Sequence, residues 1–428
     1  MKTRSMLVLC AALGLSLNTV SAAEPGTQFR PLDLQAAFGS DVVSEKSSLS
    51  VRWDYLGKAR FHGVEGPASG DPLGAESSVK SGAEDGLAAA LKGTDARHWI
   101  AVNVSTGDEY LVELPTDTAA GLRRLAAKAG WEQGNAGVAS ASDPAGKTDD
   151  LSSIEADAKG WSNGVDTRTR RFDNTTYPYR AMGQLGGGLN SGCSGTLVGR
   201  RHVLTAAHCL YNQEDDVWTL GGLFRPGREG TCNNASCEPY GEFSGVWYFT
   251  PAQWRTSDNA WNYDYGLVVL NGSPGNQTGW LGYVAVAQST LEDQCDKVPF
   301  GPGFLGGECS NRGYPACGFP EAPLECRLNN NLQGWAYQDP NACEIGSFGS
   351  AGNDGWAARF TTNCDISRGH SGSSVFTETW GGSTSAVLGI VSTHSCTTCS
   401  PGEVYVNGIR RVTPEVLDMI SYFKAEMP

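Results

Sequence analysis

Three side chains able to share the work of acyl transfer follow one another along this chain. His208 closes the small, apolar stretch "HVLTAAHC" (202–209), and Asp264 precedes the apolar run of "NYDYGLVVL" (262–270). Ser371 sits among glycines in "CDISRGHSGSSVF" (364–376). A serine hydroxyl is a poor nucleophile at neutral pH. It needs a base to take its proton and a carboxylate to hold that base in the right tautomer. A carboxylate at the head of an apolar strand can be buried and oriented for that purpose. Glycines around a serine let the backbone turn tightly, so the amides of Gly369 and Ser371 can converge on one point and hold an oxyanion. Each piece has a plainer reading: a structural histidine, a strand-capping aspartate, a Gly/Ser-rich turn. The order histidine, aspartate, serine discriminates better, because other serine-hydrolase arrangements run differently along the chain.

The elements that must position these residues belong to an exported protein. The chain has 428 residues, room for two or three domains. Lys2 and Arg4, the apolar stretch 6–17 and the small residues of "NTVSAA" read as a secretory signal over residues 1–23. Of 13 cysteines, Cys10 lies in that signal and the other twelve fall between Cys193 and Cys399. An even set confined to one region of an exported chain implies disulfides. Cys232 with Cys237 and Cys396 with Cys399 can close local loops, and Cys193 with Cys209 can bridge a hairpin joined by the "GRR" turn; the pairing of the other six cysteines stays open. A zinc or redox role for "CTTC" lacks a second ligand pair of matching spacing. The formal net charge of −14 argues against nucleic acid or anionic membrane as partner, and no later apolar run reaches membrane length.

Residues 24–160 contain no cysteine and are rich in Ala, Gly, Ser and Asp. Breaker-rich tracts at 63–86 and 140–153 read as linkers, around strand-like "HWIAVNV" (98–104) and "EYLVEL" (109–114) and a helical "TAAGLRRLAAKAG" (118–130). The expectation is a small α+β pro-segment removed on maturation, with a permanent N-terminal domain as the alternative. From about residue 176, short β-rich runs alternate with turns, which predicts an all-β core. The end differs: Thr413 can cap a helix with Pro414 at its first position, and Val416, Leu417, Ile420 and Phe423 form one apolar stripe.

Residues 161–428 resemble the bacterial glutamyl-endopeptidase (V8-like) branch of the chymotrypsin-like serine proteases. The blocks "GVDTRTRRFDNTTYPYRA", "CSGTLVGRRHVLTAAHCLY", "PYGEFSGVWYFTPAQW", "NYDYGLVVL" and "CDISRGHSGSSVF" carry the resemblance in family order. It implies two six-stranded barrels with the site between them, followed by the terminal helix. It also implies His208 as general base, Asp264 as its orienting acid, Ser371 as nucleophile and Gly369 as the oxyanion-hole glycine. Asp365, Ile366, Val391, Ser392, Thr393 and His394 would line the substrate cleft. The function implied is a secreted (extracellular or periplasmic) serine endopeptidase made as a proenzyme, monomeric, acting on proteins or peptides without cofactor or metal. A non-catalytic binding module on the same fold is the alternative.

Departures from the family pattern carry expectations of their own. The glutamyl branch places a histidine and a hydroxyl residue where this chain has Val391 and Ile366, neither of which can donate to an acidic side chain, so cleavage after glutamate is expected to be weak. His394 could restore it if a bulge turned it inward. Asp365 occupies the position of the basic-substrate carboxylate of trypsin-type enzymes. His370 stands where those enzymes keep an aspartate for the new N-terminus, and a cation cannot make that ion pair. Residues 295–345, with five cysteines, read as an insertion stapled by disulfides. The acidic "EDD" (214–216) reads as a solvated loop, with calcium binding as the alternative. The mature chain is expected to begin near 161–164.

Overall fold

The computed structural model describes residues 30–31, 50–62, 96–119, 121, 166–186, 192–219, 222–232, 234–295, 309–329, 332–340, 342–352, 355–380, 384–395 and 406–428. The signal, both linkers, Cys396 and Cys399 lie outside them. So does the 118–130 helix, apart from its beginning.

The N-terminal region contributes β1 (Ser50–Lys58), β2 (Ala96–Asn103) and β3 (Asp108–Pro115). β2 and β3 fall where the alternating runs place them. After the short β4 (Thr169–Arg170) come β5 (Met182–Leu185), β6 (Cys193–Leu197), β7 (His202–Thr205), β8 (Leu223–Pro226), β9 (Phe243–Pro251) and β10 (Gly266–Leu270). These last six pair in the order β9-β8-β5-β6-β7-β10, and β10 pairs back onto β9 to close a barrel. All five residues of β10 are buried, as a strand enclosed on both faces must be.

The second sheet uses β11 (Gly282–Tyr283), β12 (Cys309–Gly313), β13 (Tyr337–Gln338), β14 (Ile345–Phe348), β15 (Arg359–Thr362), β16 (Ser374–Trp380), β17 (Thr384–Ser395) and β18 (Val406–Arg411). Its order is β14-β15-β18-β17-β16-β12-β13-β4, with β11 parallel to β17. Cys343, two residues before β14, donates a backbone hydrogen bond to the Cys309 carbonyl at the start of β12, 2.7 Å. Disulfides join Cys193–Cys209, Cys232–Cys237, Cys295–Cys309, Cys317–Cys326 and Cys343–Cys364. The last three resolve the pairings that spacing left open, and they staple the 295–345 region to itself and to the turn after β15.

Helix α1 (Pro414–Glu426) follows Thr413, whose backbone is extended at the N-cap. Its apolar stripe packs on the first barrel, but its other face is buried too. The reason is the N-terminal region. β2 pairs antiparallel with β9 over Trp99–Asn103, adding β1–β3 to the barrel's sheet. Trp53 and Trp99 meet Phe423 edge-on at 6.3 and 5.6 Å, and Arg97 pairs with Asp418 at 3.1 Å. One hydrophobic cluster therefore runs through the N-terminal strands, the first barrel and α1.

Candidate active site

Asp264 is fully buried and accepts three hydrogen bonds. Its Oδ1 takes the backbone N–H of His208 at 2.9 Å, and its Oδ2 takes His208 Nδ1 at 2.8 Å and the Ser392 hydroxyl at 2.6 Å. An ionised carboxylate only accepts, so the imidazole carries its proton on Nδ1. Nε2 is left with its lone pair, the tautomer a general base requires. The short helical turn 260–263 ends at Asp264 and delivers it to the head of β10, while the turn 207–209 after β7 delivers His208. The Cys193–Cys209 disulfide ties that second turn to β6. The His208 side chain keeps 26 % exposure, so a substrate can reach the ring while its carboxylate stays dry. Burial alone lowers the imidazole pKa, but the Asp264 charge and hydrogen bond outweigh it and hold the pKa above the usual histidine value.

Ser371 lies on the loop between β15 and β16. Gly369 holds φ +92° and Gly372 φ +77°, a region that favours glycine. A Cβ on Gly369 would fall 2.4 Å from the Tyr314 carbonyl oxygen, and one on Gly372 would fall 2.9 Å from Ala206 N, two residues before His208. The loop is thus pressed against both sheets. The Ser371 carbonyl accepts from Ser194 N–H of β6 at 2.7 Å, and Gly372 N–H donates to the Val391 carbonyl of β17 at 2.8 Å. His370 N–H goes to Ser367 and Ser373 N–H to His370. The amides of Gly369 and Ser371 donate to no group among the described residues, which leaves both available to an oxyanion.

The expected cleft residues divide. Ser392 and Thr393 lie on β17, Ser392 at a register shift between Val391 and Thr393. His394 pairs in register with Asn407; its side chain lies outside the described residues. Ile366 and Val391 belong to the hydrophobic cluster of the second sheet and are almost fully buried. Asp365 is also buried, and its Oδ2 accepts both the backbone N–H and the hydroxyl of Thr167, 2.8 Å each. Its own N–H donates to Asp339 Oδ2 at 2.9 Å. The acidic 214–216 loop is met by Arg60, which pairs with Asp216 at 2.7 Å. Sequence reasoning missed Thr167, Asp339, Arg359 and the Ser392–Asp264 bond. Arg359 is 2 % exposed and donates to Thr393 Oγ1 at 2.6 Å. Burial pushes its pKa down to about 10, against the pull of the Asp264 charge. Among the described residues one group of possible metal donors converges, His208 with Cys193 and Cys209. Its two sulfurs are bonded to each other and offer no thiolate.

The chain is similar to several known proteins. The trypsin family matches residues 166–311. A protein of Bacillus subtilis (strain 168) named extracellular metalloprotease is 40 % identical over 148 residues, 32 % of this chain and 45 % of its own length. The glutamyl endopeptidase of Bacillus licheniformis is 38 % identical over 128 residues, 30 % of this chain and 38 % of its own length. The chain thus spans less than half the length of either relative. A solved structure of Glu endopeptidase in complex with MPD superposes with a TM-score of 0.44 at 21 % identity, covering 62 % of this chain and 99 % of that one. The trypsin family is matched across the first barrel, and over that stretch the chain is similar to the chymotrypsin-like serine proteases, with likeness to their glutamyl-endopeptidase branch.

Proposed function

We propose that the chain is a secreted serine endopeptidase, made as a proenzyme, in which His208, Asp264 and Ser371 form the catalytic triad. The observation that carries this reading is the buried Asp264 carboxylate gripping one histidine by backbone and ring together. Ser371 attacks the peptide carbonyl as His208 Nε2 takes its proton. The tetrahedral oxyanion accepts hydrogen bonds from the Gly369 and Ser371 amides. His208 then protonates the leaving amine, and water repeats the cycle on the acyl-enzyme. Asp264 stays ionised throughout, holding the ring and balancing the imidazolium. Ser392 donates to the same carboxylate oxygen and fixes its orientation.

Export is supported by the signal-like start and by five disulfides among the described residues. No helix among the described residues is long and apolar enough to cross a membrane. The deciding experiment treats purified protein with a serine-directed phosphonate and maps the adduct. Labelling at Ser371, lost in Ser371→Ala, supports the enzyme. A mature protein that takes up no label and hydrolyses no casein would be a binding module instead.

A further inference from the structure

The residue before Ser371 is a buried histidine, and a buried guanidinium stands behind it. The Arg168 side chain has no exposure, yet all five of its N–H donors are engaged. Nε and Nη2 grip Asp166 Oδ1 and Oδ2 at 2.9 Å each. Nη2 also donates to the Glu321 carbonyl at 2.8 Å. Nη1 serves the Ser367 hydroxyl at 2.6 Å and His370 Nε2 at 3.3 Å. A guanidinium only donates, so His370 Nε2 accepts and its ring proton lies on Nδ1, facing Asn311 Oδ1 at 3.1 Å. Asn311 Nδ2 donates onward to Ser373 Oγ at 2.9 Å and to the Ser374 carbonyl at 3.0 Å. His370, Asn311, Ser367 and Ser373 are all buried. The chain of contacts enters the nucleophile loop on both sides of Ser371.

We propose that Arg168 is a positioning residue for this loop. It presets the Gly369 and Ser371 amides and the Ser371 hydroxyl through Ser367 and His370, with Asp166 holding the guanidinium in place. The inference rests on the protease reading above. A buried polar network fixes one geometry when every member is satisfied and is costly when one is missing. The task also demands arginine. A lysine ammonium cannot present a planar fork to Asp166 while reaching Ser367, His370 and the Glu321 carbonyl. The cation behind the nucleophile therefore comes from a side chain within the chain.

The test uses the full chain, expressed and matured as the wild type is, with Arg168→Met and Arg168→Lys. Small displacements at a reacting centre cost about two orders of magnitude. Arg168→Met should accordingly lower kcat about 100-fold, with KM within about threefold, and slow phosphonate labelling of Ser371 by a similar factor. Arg168→Lys should lose at least about tenfold in both rates. A purely structural role would change thermal stability without this split, so unfolding temperature and disulfide pattern are measured alongside. Wild-type rates in folded Arg168→Met would overturn the proposal, and if that variant does not fold, wild-type rates in Arg168→Lys would do the same. Failure of the protease reading looks different, because the wild-type protein itself then neither labels nor hydrolyses.

Discussion

Trp53 and Tyr422, 369 residues apart in sequence, are joined by a hydrogen bond of 2.8 Å from indole N–H to phenol oxygen. The bond marks a seam with the chemistry of a core. Trp53, Trp99, Trp247, Phe249 and Phe423 are all buried around it, and the Phe249 and Phe423 rings stack at 3.6 Å. Each such aromatic pair adds about 0.5–1.5 kcal/mol beyond its burial.

A maturation cut between residues 120 and 165 should accordingly leave the two pieces together. The expected mature protein is a non-covalent pair, with residues before the cut still supplying β1–β3 to the barrel's sheet. Both fragments should co-elute from a sizing column in native buffer and part only in denaturant. Separation in native buffer would mean that the N-terminal strands are a dispensable pro-segment. Trp99→Ala, which empties the centre of the seam, should cost about 3–5 kcal/mol.

Catalysis should fail in graded steps. Ser371→Ala removes the nucleophile and one small oxygen, and losses of about six decades in turnover accompany such changes in another serine protease. Asp264→Asn should cost about four decades through the wrong imidazole tautomer. Turnover of casein and of a peptide substrate, with circular dichroism to confirm folding, measures both. Activity in Ser371→Ala near that of the wild type would remove Ser371 from the mechanism.

The pH profile follows from the same pair. Catalysis needs neutral His208, whose pKa Asp264 holds above the usual histidine value against the opposing effect of burial. Activity should thus rise with pH through a limb lying above that ordinary value. In Asp264→Asn the raising influence is gone and burial remains, so the limb of the residual activity should move to lower pH. A limb that stays in place or moves up would contradict the assigned coupling.

Stability should depend on pH through a different histidine. His202 is buried, with Nε2 3.3 Å from the Phe423 carbonyl oxygen of α1. Burial and the nearby Lys424 and Arg201 charges push its pKa down to about 3. The unfolded chain binds a proton there below about pH 6.5 while the folded chain does not. Its contribution is complete above that value and is lost, at about 1.4 kcal/mol per pH unit, as the pH falls towards the folded pKa. Unfolding midpoints should drop more steeply between pH 6 and pH 4 in the wild type than in His202→Gln, which cannot titrate. Parallel curves would show that other groups govern the acid limb.

What could be read along the chain was local. β2, β3, β6, β7 and β10 announce themselves by alternation or apolar runs between turns, and α1 by Thr413 and Pro414 at its start. β1 had the same signal in "SVRWDYLGK", where Val51 and Trp53 point inward, and went unread. The candidate triad was legible because its members sit in short stretches with distinctive neighbours and in a telling order. Arg168 had no such signal. It lies in the basic run "RTRR", and its partners at Glu321, Ser367 and His370 are 153, 199 and 202 residues away. No local pattern encodes an encounter that only sheet closure creates. The same holds for the buried second face of α1, which depends on strands more than 300 residues earlier.

Specificity at the cleaved bond is the remaining expectation: cleavage after glutamate should be weak, and we expect a neutral side chain to be cut faster than glutamate or lysine. A pocket that selects a carboxylate must offer donors or a cation, because a buried charge left unpaired is costly. Ile366 and Val391 are apolar members of the second core and offer neither. Asp365 and Asp339 are both buried and joined by a backbone-to-carboxylate hydrogen bond, and a carboxylate offers an acidic substrate no donor. A basic substrate gains little either, since Asp365 Oδ2 is occupied by the Thr167 N–H and hydroxyl. The opposing consideration is the register shift at Ser392, two residues before His394, because a bulge is a device that re-aims side chains. Fluorogenic peptides that differ only at the residue before the cut decide the matter. Leucine and phenylalanine should exceed glutamate and lysine in kcat/KM. A preference for glutamate of about tenfold, worth about 1.4 kcal/mol in the transition state, would overturn this, and its loss in His394→Ala would identify the donor.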